Sequence, residues 1–114
     1  KEATDEDVVE FVEQDIIQTI DTENLIKMSD SWVRGKISLI QQSGILSNIP
    51  LNDMKAVAIE FNIPFETITD NSNEVIKIPT NKSDLKKLLR FLDEDYYKSP
   101  LSKTNFVTNS KREV

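Results

Sequence analysis

The 114-residue chain contains no cysteine and no histidine, only two glycines and a single tryptophan. Without cysteine there are no disulfides, iron–sulfur ligands or thiol nucleophiles, and the composition fits a reducing, cytoplasmic compartment. Without histidine, a zinc enzyme, a histidine-based triad and an imidazole proton shuttle all lose their usual residue. Gly35 and Gly44 stand apart, and no GxGxxG, Walker or GxSxG pattern is present. No apolar run approaches the length of about 20 residues that crosses a bilayer. The opening Lys1-Glu2-Ala3-Thr4-Asp5 has no signal-peptide character. It also lacks an initiator methionine, which suggests a piece of a longer protein. No cofactor and no catalytic constellation are expected from these residues.

The chain is long enough for one core, burying roughly two-thirds of its unfolded surface. Charge is divided unevenly along it. Residues 1–80 carry six basic and fifteen acidic side chains, a net of −9, whereas residues 81–114 carry eight and five, a net of +3. An acidic chain does not bind nucleic acid through its overall field, but a local basic patch can attract a phosphate backbone.

Hydrophobic periodicity predicts an α+β fold, with N-terminal helices followed by a small antiparallel β-sheet packed on a Leu-rich helix. Thr4 and Asp7 form a capping-box pattern, and Val8, Val9, Val12, Ile16 and Ile20 keep helical spacing, so a helix is expected over 5–20. Asp21 or Thr22 caps the next helical stretch. Its apolar stripe runs through Leu25, Ile26, Trp32, Val33, Ile37, Ile40 and Leu46 as one long helix or two shorter ones, ending at Gly44. Trp32 reads as core-edge packing, with a stacking platform as the functional alternative. Met54, Val57, Ala58 and Phe61 predict a helix over 51–61, stopped by Asn62-Ile63-Pro64. Residues 65–69 and 75–78 read as a hairpin with a four-residue loop, to which Phe106-Val107-Thr108 can add a third strand. Asp70-Asn71-Ser72-Asn73-Glu74 opens like a calcium loop but lacks the required glycine and distal glutamate, and reads as a turn. Leu85, Leu88, Leu89 and Leu92 predict a helix over about 83–93 with Lys86, Lys87 and Arg90 on its outer side. Residues 1–44 thus form a helical segment, and 45–114 supply a helix, hairpin, helix and terminal strand of one domain.

Asp93-Glu94-Asp95 is the densest carboxylate cluster. It reads as the exposed end of a helix, free to pair with Lys98 or Lys103. The chemical alternative is a metal-dependent, nuclease-like site. The acidic first 24 residues form a second feature, an amphipathic stretch suited to docking a partner or another copy of the chain.

Leu88 to Arg112 resembles the C-terminal part of the KwaB-like domain of the Kiwa anti-phage defence family. The resemblance is carried by Phe91-Leu92-Asp93-Glu94-Asp95-Tyr96, then Ser99-Pro100-Leu101-Ser102, an aromatic strand at Phe106, and Asn109-Ser110-Lys111-Arg112. Ile76-Lys77-Ile78-Pro79 and the Lys82–Leu89 stretch precede them in the same order. Ser102 stands where the family pattern has threonine, and Phe106 where it has tyrosine, which removes a hydroxyl. Residues 1–44 carry no part of the resemblance. It implies a soluble bacterial defence protein that binds DNA, works with a membrane-protein partner of the same system and possesses no established hydrolytic activity. Carried onto this chain, the phosphate-contact candidates are Lys98, Lys103, Lys111 and Arg112, with Asn109 and Ser110 as neutral donors. Lys82, Lys86 and Arg90 form a second tier.

Overall fold

The computed structural model describes residues 3–18 and 21–107. It is an α+β structure. Six helices surround sheets of three and two strands among the described residues. The helices are α1 (Asp5–Val12), α2 (Thr22–Met28), α3 (Ser31–Ser43), α4 (Ile45–Asn48), α5 (Leu51–Phe61) and α6 (Lys82–Leu92). The strands are β1 (Ile17–Gln18), β2 (Thr67–Asp70), β3 (Asn73–Lys77), β4 (Tyr96–Lys98) and β5 (Asn105–Val107).

Polar caps set most helix boundaries. The Thr4 N–H donates to Asp7 Oδ2 at 2.7 Å and opens α1. Asp21 Oδ1 accepts from the Asn24 N–H, Asp30 Oδ1 from the Val33 N–H and Asn81 Oδ1 from the Asp84 N–H, opening α2, α3 and α6. Ser29 and Asp30 therefore divide the long apolar stripe into two helices. Gly44 ends α3 at φ 71°, and Asn62 ends α5 at φ 55°.

The helix expected over 5–20 is cut short. Its C-cap is Glu13, and Ile17-Gln18 is a strand instead. The Ile16 carbonyl accepts from Ile76 N–H at 2.7 Å and the Gln18 carbonyl from Ile78 N–H at 3.2 Å. Sheet hydrogen bonds to a β-branched pair outweigh the helical spacing of the same isoleucines. The segment before residue 45 is therefore not wholly helical. Ile20 lies outside the described residues.

β3 is the centre of the larger sheet, with β1 parallel on one side and β2 antiparallel on the other. The third strand is thus β1, not the one at Phe106. β5 pairs antiparallel with β4 in a separate hairpin, Tyr97 opposite Phe106. The Ser99–Thr104 connection is short enough to fold the chain back on β4, so local pairing prevails over joining β2 or β3. The β2–β3 loop is also tighter than expected. Asp70 pairs with Asn73, leaving Asn71 and Ser72 as the loop, at φ 49° and 68°. Two positive φ values are what a type I′ turn requires, and that turn matches strand twist.

The core lies between the sheet and the helices. Leu85, Leu88, Leu89 and Leu92 of α6 bury their whole face against Val8, Phe11, Leu25, Val33, Ile37, Ile40 and Ile76. Two consequences are measurable. Leu88→Ala removes fully buried methyl groups and should cost about 2–5 kcal/mol in urea unfolding. Ser72→Gly should instead stabilise by about 0.5–1 kcal/mol, because glycine enters positive φ without a Cβ clash. A lower urea midpoint for Ser72→Gly would contradict the turn assignment.

Candidate nucleic-acid interface

Lys82, Lys86 and Arg90 recur every four residues, so they form one stripe along α6 with a rise of about 6 Å between neighbours. This stripe faces the start of α3. Trp32, in the first turn of α3, packs against the core and presents its ring to the stripe. Lys86 Nζ lies 5.2 Å and Arg90 Cζ 5.3 Å from the ring centroid, and Lys36 Nζ approaches to 5.7 Å from the same helix. Lys86 and Arg90 are partly buried, and their charges are attracted to the ring quadrupole. Trp32 is therefore core-edge in packing and a neighbour of three cations at once.

Lys82 closes the other end. Its ammonium lies 2.6 Å from Asp30 Oδ2, while Asp30 Oδ1 caps α3 through the Val33 N–H at 2.9 Å. The hydrogen bond from Lys82, then that from Val33, holds the Asp30 carboxyl below the usual carboxylate range, with the charges of Lys82 and Lys86 adding to the effect.

Lys36, one turn beyond Trp32, is spent differently. Its ammonium donates to Asp93 Oδ2 at 2.8 Å and also to Asp95 Oδ2. Asp93 is 6% and Asp95 3% exposed. The expectation of a solvated helix end pairing with Lys98 or Lys103 is thus corrected. After α6 the chain makes a turn in which the Asp95 N–H donates to the Arg90 carbonyl at 2.8 Å and Glu94 takes φ 57°. That turn swings the two aspartates inward and leaves Glu94 outside. The three carboxylates do not converge, and among the described residues no group of three or more acidic side chains is placed to hold a metal ion. Burial pushes the Lys36 ammonium down, but its hydrogen bonds to Asp93 and Asp95 and their charges prevail, so its pKa is raised.

Lys98 is engaged away from the stripe. The Lys98 ammonium donates to the Glu60 carbonyl at 2.9 Å, lies 3.9 Å from the Glu60 carboxylate and sits 5.2 Å from the Phe61 ring centroid. It neutralises the C-terminus of α5, where carbonyls lack helical partners, and is engaged in holding the fold. Lys103 is exposed at φ 59° in the β4–β5 connection. Asn109, Ser110, Lys111 and Arg112 lie outside the described residues. Of the two tyrosines, Tyr96 is partly buried, with its ring 6.3 Å from Phe61, and burial raises its pKa. Tyr97 is half-exposed and packs on Phe106.

Sequence reasoning missed Asp30 and Lys36, which belong to α3 and meet α6 only in the folded chain. The four-residue spacing of Trp32 and Lys36, matching that of Lys82, Lys86 and Arg90, is the one signal that points to a shared seam.

No family model matches the chain, and neither the curated proteins nor the solved structures yield a match.

The Lys36 arrangement makes two predictions. Lys36→Met removes the ammonium that Asp93 and Asp95 share and should destabilise by about 3–5 kcal/mol, whereas adding Asp93→Asn and Asp95→Asn should restore much of the loss. A Lys group whose folded pKa is raised stabilises below its unfolded value of 10.5 and loses that contribution as pH climbs through the folded value. Urea unfolding across alkaline pH should therefore show wild type losing stability relative to the triple variant only above about pH 10.5. Equal pH profiles for the two proteins would contradict the Lys36 contribution.

Proposed function

We propose that this chain is a non-catalytic, sequence-independent DNA-binding region of a bacterial anti-phage defence protein, gripping the phosphate backbone with the α6 stripe. The observation that carries the reading is the alignment of Lys82, Lys86 and Arg90 along one helix face beside Trp32. Among the described residues, neither Lys86 nor Arg90 lies within ion-pair distance of a carboxylate. Their charges are set against a ring instead, which leaves them available to an incoming anion. Arginine offers phosphate a planar fork and lysine a point charge, neither of which reads a base. Trp32 supplies an aromatic face of the kind on which nucleobases or sugars stack.

The resemblance of Leu88–Arg112 to the KwaB-like domain supports the defence setting, with a membrane protein of the same system as working partner. It also brings Lys103, Asn109, Ser110, Lys111 and Arg112 to the same ligand as additional contacts. Lys98 is left out of this set, because its ammonium is committed to the end of α5.

Binding to a labelled duplex should weaken linearly in log–log terms with salt. The slope should be at least about −1.8 in magnitude if Lys86 and Arg90 each neutralise one phosphate while Asp30 holds Lys82. Lys86→Glu with Arg90→Glu should lower affinity more than tenfold and flatten the slope by about 2. Asp30→Asn keeps a capping oxygen but releases Lys82, so it should tighten binding. No binding by wild type at low salt, or a double variant that binds like wild type, would overturn the reading.

A further inference from the structure

A groove of about 400 Å³ opens between α4, α5 and the turn after α6. None of the α6 stripe residues lines it, so it is independent of the DNA-binding reading. Its floor includes Met54 and Leu92, both buried, and its walls carry Phe61, Phe91 and Tyr96. Ile49 and Val57 stand on its rim, 40% and 41% exposed. A cavity made for a small apolar molecule encloses its lining, whereas apolar side chains left in water on a rim mark a surface that another protein covers. Among the described residues, the titratable side chains lining it besides Tyr96 are two carboxylates, Asp53 and Glu94, and both are exposed. Glu94 is brought there by the positive-φ turn that sends Asp93 and Asp95 to Lys36. One turn thus serves two purposes, an internal clamp and an acidic lip on the groove.

We infer that this groove is a docking site for an amphipathic segment of a partner protein, one that lays apolar side chains between α5 and the end of α6 and sets basic residues against Asp53 and Glu94. The charge of the lip selects the partner. An acidic segment is repelled, and so is a nucleic acid, while a basic one is drawn in. The mode is that of a helix in a groove, where apolar anchors supply affinity and flanking charges supply choice.

The test uses the full chain and two fluorescein-labelled helical peptides of equal length, with leucines on one face and either lysines or glutamates beside them. Fluorescence anisotropy should show the Leu/Lys peptide binding at least tenfold more tightly than the Leu/Glu peptide. Val57→Glu should lower Leu/Lys binding at least tenfold, although the new charge by itself would attract lysine. Asp53→Asn with Glu94→Asn should remove the preference between the peptides while retaining an apolar contact. Circular dichroism of each variant checks that the fold is intact, and because Val57 and both carboxylates are exposed, the variants are expected to fold. Equal binding of the two peptides to wild type, or full Leu/Lys binding by Val57→Glu, would overturn the proposal. Light scattering supplies a third arm. A wild-type dimer that Val57→Glu converts to a monomer would assign the groove to a second copy of this chain and overturn the inference of a separate partner.

Discussion

One ammonium group facing two inward-turned carboxylates sets the geometry of this protein. Lys36 reaches from α3 to Asp93 and Asp95, and both aspartates are all but removed from water. Such an arrangement gains little over a well-packed apolar alternative, but once built it is costly to break, because any missing partner leaves a buried charge. It therefore acts as a constraint on register. It fixes the end of α6 relative to α3, and so places Lys86 and Arg90 above Trp32. It also fixes where the chain leaves α6, sending Glu94 outward and starting β4 immediately afterwards. The apolar seam of Val33, Ile37 and Ile40 against the α6 leucines supplies the larger share of burial, while the clamp selects one alignment of that seam.

Charge is distributed by the same logic. Among the described residues, three further basic side chains before α6 are matched to a carboxylate across the fold: Arg34 to Asp5, Lys55 to Glu74 and Lys77 to Glu66. Exposed pairs of this kind contribute little stability, but they cancel local fields. The stripe on α6 differs because two of its three cations rest on an indole. A chain with net charge −6 can in this way keep a cationic seam, and under the proposed reading its acidic remainder limits binding to that seam. The acidic lip of the groove extends the division, setting Asp53 and Glu94 apart from the α6 cations.

Much of this architecture was legible because it is local. Thr4 and Asp21 read as caps, Gly44 and Asn62 as terminators, and the α6 leucines as a buried face, since each needs only neighbours within a turn. The parts that were not legible depend on distant residues. Ile16-Ile17-Gln18 keeps a helical pattern, and only β3, some sixty residues later, makes it a strand. Phe106 reads as a strand, but nothing in its sequence says which strand it joins. Asp93-Glu94-Asp95 looks like a uniform acidic cluster, and only Lys36 distinguishes the two residues that turn inward from the one that does not. Lys98 looked available for phosphate until the end of α5 provided it with a carbonyl. In the candidate site, the cations of α6 were visible as a helix face, whereas their aromatic and acidic neighbours on α3 were not.

The central claim is that the α3–α6 seam is where DNA is met, and Trp32 is the only tryptophan in the chain. Its emission therefore reports on that seam alone. A titration of the chain with an unlabelled duplex at low salt should change Trp32 emission in step with binding measured on labelled DNA, and added salt should reverse both. If the labelled duplex binds while Trp32 emission stays unmoved, the contact lies elsewhere on the molecule and the account of the seam is wrong.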